Sequence, residues 1–205
     1  MLIKIKRKDC LKKFHCLPVR FYNKTKEEDD IYYPNFLGSY VLTLPSKFSK
    51  VHSKLIGIEL TGIAKEFNSN YFVFLGDDKK IAWPGLTFLN MFQSAQSKKE
   101  AITYLANNKV GKRFNGALQV EVSELIEFTK HLYWLNLATI NVFNVYFTDT
   151  EQNLVGHICQ YGNLHIETLH EKADQLLKNF LEKSMMEFSA DTKCYLKYNE
   201  TSTCG

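Results

Sequence analysis

The stretch "NVFNVYFTDTEQNLVGHICQYGNLHIETL", residues 141–169, carries the clearest strand pattern in the chain. Two turn-forming segments, "TEQN" at 150–153 and "GN" at 162–163, separate three runs rich in β-branched, aromatic and aliphatic residues. Short runs of this kind, divided by turn residues, are typical of antiparallel hairpins. The stretch therefore predicts a three-stranded antiparallel meander.

Helical patterns lie on both sides of the meander. Residues 171–183, "EKADQLLKNFLEK", have an apolar side that predicts a helix packing across it. Ser123 is placed to cap a second helix, "ELIEFTKHLYWLNLA" at 124–138. "SKKE" at 97–100 is a capping box and predicts a third helix that ends near Asn107.

The N-terminal half contains strand patterns and one ambiguous segment. The segments that predict strands are "LIKIK" at 2–6, "PVRFY" at 18–22, "GSYVLTL" at 38–44 and "YFVFLGDD" at 71–78, whereas "NKTKEEDD" at 23–30 predicts an exposed loop. Residues 53–67, "SKLIGIELTGIAKEF", fit either a helix or a strand. Gly57 and Gly62 weaken either choice, and we favour a short strand leading into a helical turn.

The pattern as a whole predicts an α+β fold. We expect a single mixed, mostly antiparallel sheet with a C-terminal three-stranded meander, covered by three to four helices. The 205 residues are 45% hydrophobic, which is enough for one large core, so 1–205 is interpreted as a single domain. The alternative is an N-terminal subregion, 1–45, that packs onto a main body of 46–200.

Cysteine usage and hydropathy point to a reduced compartment. The five cysteines form no C-x-x-C pair, which favours reduced thiols and a cytoplasmic protein. The basic start, "MLIKIKRKDC", has no apolar run of the kind that forms a signal peptide. The uncharged run 132–147 contains three asparagines and is interpreted as a helix end followed by a core strand, with no membrane partner.

Residues 156–172 hold three of the six histidines and raise the question of a metal site. With Gly162-Asn163 as a two-residue turn, Gln160 pairs with His165, and His157 falls on the opposite, apolar face. Zinc needs three or four converging ligands, and this register supplies at most two on each face. We therefore expect no metal and no cofactor at this hairpin.

A metal-free acid–base pair is the remaining catalytic interpretation of the hairpin. His165 would carry the proton, Glu167 would orient it, and Gln160 or Tyr161 would bind substrate. The weaker metal candidates are Asp77 and Asp78, which resemble a nuclease arrangement only if both face one way. Because adjacent residues of an extended strand face opposite ways, we favour a turn at this position.

Candidate binding residues fall into an aromatic and a basic set. Tyr32, Tyr33, Phe36 and Tyr40 occur in loop-like sequence, where they suit a protein-binding or base-stacking surface; otherwise they fold back over the sheet. The basic candidates are Arg7, Lys112 and Arg113, and Gln160 is a polar candidate. The net charge of +4 is too small by itself to predict a polyanion partner.

Two classes of function agree with these patterns, and the sequence leaves open whether the protein is an enzyme. The first is a non-enzymatic binding protein, such as an accessory, inhibitor or immunity-type factor, that uses the aromatic and basic surface. We rank it first because the common hydrolase, nucleotide-binding and metalloprotease motifs are missing. The alternative is a hydrolase-like or metal-dependent nuclease-like enzyme centred on His165 and Glu167 with Asp77 and Asp78. A protein partner is favoured over nucleic acid.

Overall fold

An eight-stranded antiparallel sheet organises the chain. The computed structural model describes residues 2–44, 49–86, 96–111, 113–136 and 144–188. The strands are β1 (Ile3–Ile5), β2 (Val19–Asn23), β3 (Glu28–Tyr32), β4 (Gly38–Thr43), β5 (Tyr71–Gly76), β6 (Ala117–Glu121), β7 (Val145–Asp149), β8 (Leu154–Ile158), β9 (Leu164–Thr168) and β10 (Glu187–Phe188). The helices are α1 (Arg7–Lys13), α2 (Ser49–Glu66), α3 (Gln96–Asn107), α4 (Leu125–Asn136) and α5 (Glu171–Leu181).

The strand order in the large sheet is β1-β6-β5-β7-β8-β9-β4-β10, and every neighbouring pair is antiparallel. Strands β2 and β3 form a separate two-stranded sheet. The predicted α+β class and the C-terminal meander, β7-β8-β9, are confirmed. The predicted helices α3 and α4 are also present, but their capping signals are wrong. α3 begins at Gln96, so Ser97 lies inside the helix, and Ser123 lies in a 3₁₀ turn at 122–124 that leads into α4.

The two faces of the large sheet are covered differently. Helices α2, α3, α4 and α5 contribute side chains to the main core on one face, where the Phe74 and Phe128 rings lie 4.6 Å apart. On the other face, α1 and the residues after it bury Phe14 and Leu17 in a smaller cluster that includes Val73. The second face therefore has apolar cover from α1 that reaches Val155 of β8, while His157, His165 and Glu167 on the same face are half-buried.

Residues 53–66 of the ambiguous segment lie within α2, an 18-residue helix, so the prediction of a short strand is wrong. Phe67 follows the end of the helix. A Cβ atom at Gly57 would lie 2.8 Å from the Ile126 Cα of α4, so this glycine permits a close approach of the two helices. The cost of glycine in a helix is offset here by backbone-to-backbone packing, which propensity alone does not include.

The predicted loop at 23–30 is wrong in its second half, because Glu28–Asp30 belongs to β3. The β2-β3 hairpin is attached to the end of β5 at Asp77. The Arg20 amide donates to the Asp77 carbonyl at 3.0 Å, and the Arg20 guanidinium forms an ion pair with the Asp77 carboxylate at 2.8 Å. Charge burial at Asp77 thus fixes a hairpin whose own sequence is mostly polar.

The hydropathy and thiol predictions can be checked in part. Within the described ranges no helix combines the length and the apolar character needed to cross a membrane. Cys10 and Cys16 are buried free thiols, and burial raises their pKa values to about 12 and about 11. Cys194 and Cys204 lie outside the described residues.

Replacement of Gly57 by alanine tests the α2–α4 contact. We expect Gly57→Ala to lower the free energy of unfolding by about 1–2 kcal/mol, because overpacking outweighs the gain in helix propensity. Gly62→Ala is the matched control. Its added methyl would meet only the movable ring edge of Phe180, at 2.6 Å, so we expect a change of less than about 1 kcal/mol. Urea unfolding measures both, and a larger loss for Gly62→Ala would contradict the packing argument.

Candidate functional site

The β8-β9 connection brings two histidines together. Ile158 pairs with Leu164, and His157 pairs directly with His165. The predicted register, with Gln160 opposite His165, is therefore wrong, and so is the separation of the histidines onto two faces. Gln160 instead lies exposed in a five-residue connection, 159–163.

Local packing explains the longer connection. The Gly162 amide donates to the Cys159 carbonyl at 2.9 Å, and the Cys159 amide donates to the Asn163 carbonyl at 3.0 Å. Gly162 has a φ of +79° and lies so close to Tyr133 that a Cβ atom would be 2.7 Å from the ring. The register is thus shifted by three residues, and an odd shift moves side chains to the other face.

The His157 and His165 imidazoles are stacked. Their ring centroids are 4.4 Å apart and the ring planes differ by 20°. Burial lowers the pKa of His157 to about 3, with a further contribution from His165, and burial also lowers the pKa of His165. The histidines are consequently neutral at physiological pH, and each neutral ring has one nitrogen that can accept a proton.

Glu167 lies on the same face, two residues beyond His165. It pairs with Val155 on one side and Ser39 on the other. Burial raises the pKa of Glu167 to about 7, so that near neutral pH the carboxyl exists in both protonation states. Its Oε2 atom and the Nδ1 atom of His157 are shielded from solvent, with no hydrogen-bond partner among the described residues.

Two tyrosines extend this group toward the β2-β3 hairpin. Tyr146 pairs with His157 across β7 and β8, and their rings lie 5.0 Å apart. The hydroxyl oxygens of Tyr146 and Tyr33 are 2.6 Å apart, which is a hydrogen-bond distance. Burial raises the pKa of Tyr146. We call His157, His165, Glu167, Tyr146 and Tyr33 the histidine row.

Asp77 and Asp78 diverge, as the turn interpretation expects. Asp77 is fully buried in its ion pair with Arg20, whereas Asp78 accepts a hydrogen bond from the Lys80 amide in the following turn at 2.7 Å. Arg7 donates to the carbonyls of Gly76 and Asp77, at 2.7 Å each. Among the described residues, no group of three or more His, Cys, Asp or Glu side chains could hold a metal ion.

The predicted aromatic residues separate into a surface set and a packed one. The side chains of Phe21, Tyr32, Tyr33, Phe36 and Leu37, which we call the aromatic surface, are 42–56% exposed. Tyr22 is 57% exposed but, as the neighbour of Phe21 on β2, it points to the opposite face of the hairpin. Tyr40 is different, because it is half-buried and its hydroxyl donates to the Asp174 carboxylate. Phe21, Tyr22 and Leu37 were not among the predicted binding residues. Phe21 and Tyr22 lie in the predicted strand 18–22, and Leu37 follows the predicted binding residue Phe36.

The basic candidates are partly brought together. Arg7 is half-buried against the end of β5, while Arg113 is exposed in the loop before β6. A hydrogen bond of 3.5 Å from Arg7 to the Asn115 carbonyl joins the two regions. Lys112 lies outside the described residues.

Two members of the histidine row, His157 and Tyr146, were missed as site residues because the expected hairpin register was wrong.

The chain was compared with known protein families, curated proteins and solved structures. No family model, no curated protein and no solved structure matches the chain.

The raised pKa of Glu167 has a measurable effect on stability. Between pH 4.5 and about 7 the unfolded carboxyl is ionised while the folded one keeps its proton. Its stabilising contribution is therefore complete below pH 4.5 and is lost as the pH rises through 7. We expect Glu167→Gln to gain about 3 kcal/mol relative to the unsubstituted protein between pH 4.5 and 8.

Urea unfolding across this pH range is the measurement. The lowered pKa of His157 gives the free energy of unfolding the opposite dependence on pH. The stabilising contribution of its neutral ring is lost as the pH falls below 6.5. That contribution is common to both proteins and cancels in the difference. Glu151→Gln, on the exposed β7-β8 turn, is the control and should follow the unsubstituted protein. If the free energies of unfolding of Glu167→Gln and the unsubstituted protein changed in parallel with pH, burial would not raise the pKa of Glu167.

Proposed function

We propose that this chain is a binding protein whose aromatic surface receives a protein partner. The observation that carries the proposal is a concentration of exposed apolar side chains. Thirteen large apolar side chains are exposed among the described residues, and six of them fall within residues 21–37. Scattered exposed apolar residues are normal, but a local group of this size is typical of an interaction site.

The aromatic surface is held in place before any partner arrives. Arg20 anchors the hairpin to Asp77, and Tyr33 anchors the following segment to Tyr146. The Leu37 amide also donates to the Thr168 carbonyl of β9 at 2.7 Å. Because these contacts reduce the ordering required on binding, more of the contact energy is available as affinity.

Charge around the aromatic surface defines the kind of partner. The hairpin carries Glu27, Glu28, Asp29 and Asp30 against Arg20, Lys24 and Lys26, a net charge of −1, and Asp30 forms an ion pair with Lys26 at 3.2 Å. Asp29 and Asp30 pair across the hairpin with Tyr22 and Phe21, so carboxylates lie beside the aromatic rings. Exposed carboxylates favour cations on the opposite surface, so the expected partner presents an apolar patch that includes lysine or arginine.

The double substitution Tyr32→Ser/Phe36→Ser tests this proposal. Loss of two aromatic anchors should weaken binding of the partner at least tenfold, since truncation of such anchors commonly costs more than about 1 kcal/mol each. The control is Val51→Ser/Leu86→Ser, which removes apolar side chains of similar exposure, 52% and 56%, from other surfaces. Quantitative capture from cell extract identifies the partner, and a titration with the purified partner gives the affinities. Equal retention of every captured protein by the two variants would refute the proposal.

A second candidate function, acid–base catalysis, is favoured by the composition of the histidine row. The neutral His165 imidazole supplies a base, and protonated Glu167 supplies an acid at near-neutral pH. Stacking on His157 restricts the orientation of the His165 ring. A group of side chains with shifted pKa values on one sheet face is the arrangement from which catalytic sites are often built.

His165→Gln and Glu167→Gln test the catalytic candidate. With ester, amide and phosphodiester model substrates, we expect either substitution to reduce the hydrolysis rate at least a hundredfold, which is the usual contribution of a general acid or base. Glu151→Gln should retain the full rate. A rate that neither histidine-row substitution reduces would exclude this site as its source.

A further inference from the structure

Exposed cations from three separate parts of the chain meet at the β1 end of the large sheet. They are Lys4, Lys6, Lys8, Lys79, Lys80, Lys109 and Arg113, which we call the basic edge. The first three precede or begin α1, the next two follow β5, and the last two lie in the loop before β6. Separated in sequence, they form one region only in the folded chain.

Specific contacts hold the three parts together. The Lys4 ammonium donates to the Lys109 carbonyl at 2.9 Å, so the N-terminal strand lies against the loop before β6. The Asn115 side chain in turn donates to the Lys79 carbonyl at 2.7 Å. Pairing of β1 with β6 places Ile5 beside Ala117 and fixes the same arrangement through the backbone.

The charge at this end differs from that of the whole chain. The described residues 3–9, 78–81, 108–111 and 113–116 contain eight Lys or Arg against two Asp, a net charge of +6. The whole chain has a net charge of +4, so the remaining residues together carry −2. The modest total thus hides a strongly basic surface opposed by an acidic remainder.

The cations of the basic edge are available to a ligand. Lys6, Lys8, Lys80 and Arg113 are exposed, and none of the four forms an ion pair with another residue in the described ranges. Lysines on an edge strand commonly prevent aggregation through that edge. That role accounts for Lys4 on β1, but it does not account for the cations contributed by the two loops.

We propose that the basic edge binds nucleic acid through its phosphate backbone. β1 lies two strands from β5, and neighbouring strands are about 4.8 Å apart, so the array spans about 10 Å. Duplex DNA carries about six phosphate charges over that length, whereas an extended acidic peptide carries at most about three. The density of cations therefore matches a nucleic acid better. Lysine ammonium groups act as point charges, so the contact is independent of base sequence.

Fluorescence anisotropy with a 20-base-pair duplex tests the proposal. Four phosphate contacts predict that affinity falls about a hundredfold between 50 and 200 mM salt. The edge variant carries Lys6→Gln, Lys8→Gln, Lys80→Gln and Arg113→Gln. We expect it to bind at least tenfold more weakly at 50 mM salt and to lose most of the salt dependence.

The matched control variant carries Lys24→Gln, Lys54→Gln, Lys172→Gln and Lys183→Gln. These four lysines are also exposed, and the control has the same net charge as the edge variant. Circular dichroism verifies that both variants fold, and the control should bind within about threefold of the unsubstituted protein. Equal loss in both variants, absence of duplex binding, or tighter binding to anionic vesicles or polyglutamate would overturn the proposal. None of these results depends on the partner of the aromatic surface.

Discussion

The pairing of β8 with β9 is the constraint on which the histidine row depends. The connection 159–163 packs against α4 through Gly162 and Tyr133, and in this register His157 lies between His165 on β9 and Tyr146 on β7. Burial then keeps the two stacked rings neutral, since a charge on either would be poorly solvated and would repel a charge on the other. A contact on the helical face of the sheet thus determines the chemistry of the opposite face.

Asp77 links the remaining surfaces to this framework. Its carboxylate binds Arg20 of the hairpin, and its carbonyl accepts from Arg7 of α1. A buried carboxylate without a cation would be costly, so the hairpin must dock whenever β5 is in its place. The aromatic surface and the basic edge are consequently positioned by two arginines that converge on one residue, although the surfaces themselves carry opposite rims of charge.

Local patterns were sufficient for the meander, for the presence of α3, α4 and α5 and for the α+β class, because strand alternation and helical periodicity depend on near neighbours in sequence. They failed at Gly57 and at Gly162, and for the same reason. In both cases the glycine serves a close approach to another element, Ile126 in one case and Tyr133 in the other. Periodicity in the sequence does not reveal contacts of this kind. The contact of Gly162 with Tyr133 decides whether His157 is interpreted as a core residue or as a residue of the candidate site.

The net charge of the chain conceals how unevenly its charges are distributed over the fold. A net charge of +4 suggests no polyanion, yet the described residues at the β1 end carry +6, while the hairpin has four acidic residues in succession. At physiological salt, charges interact over about 8 Å, which is less than the span of the basic edge. An approaching ligand therefore responds to the local surface and not to the total. Because the acidic residues of the hairpin and the cations of the β1 end belong to different parts of the fold, neither set cancels the local charge of the other.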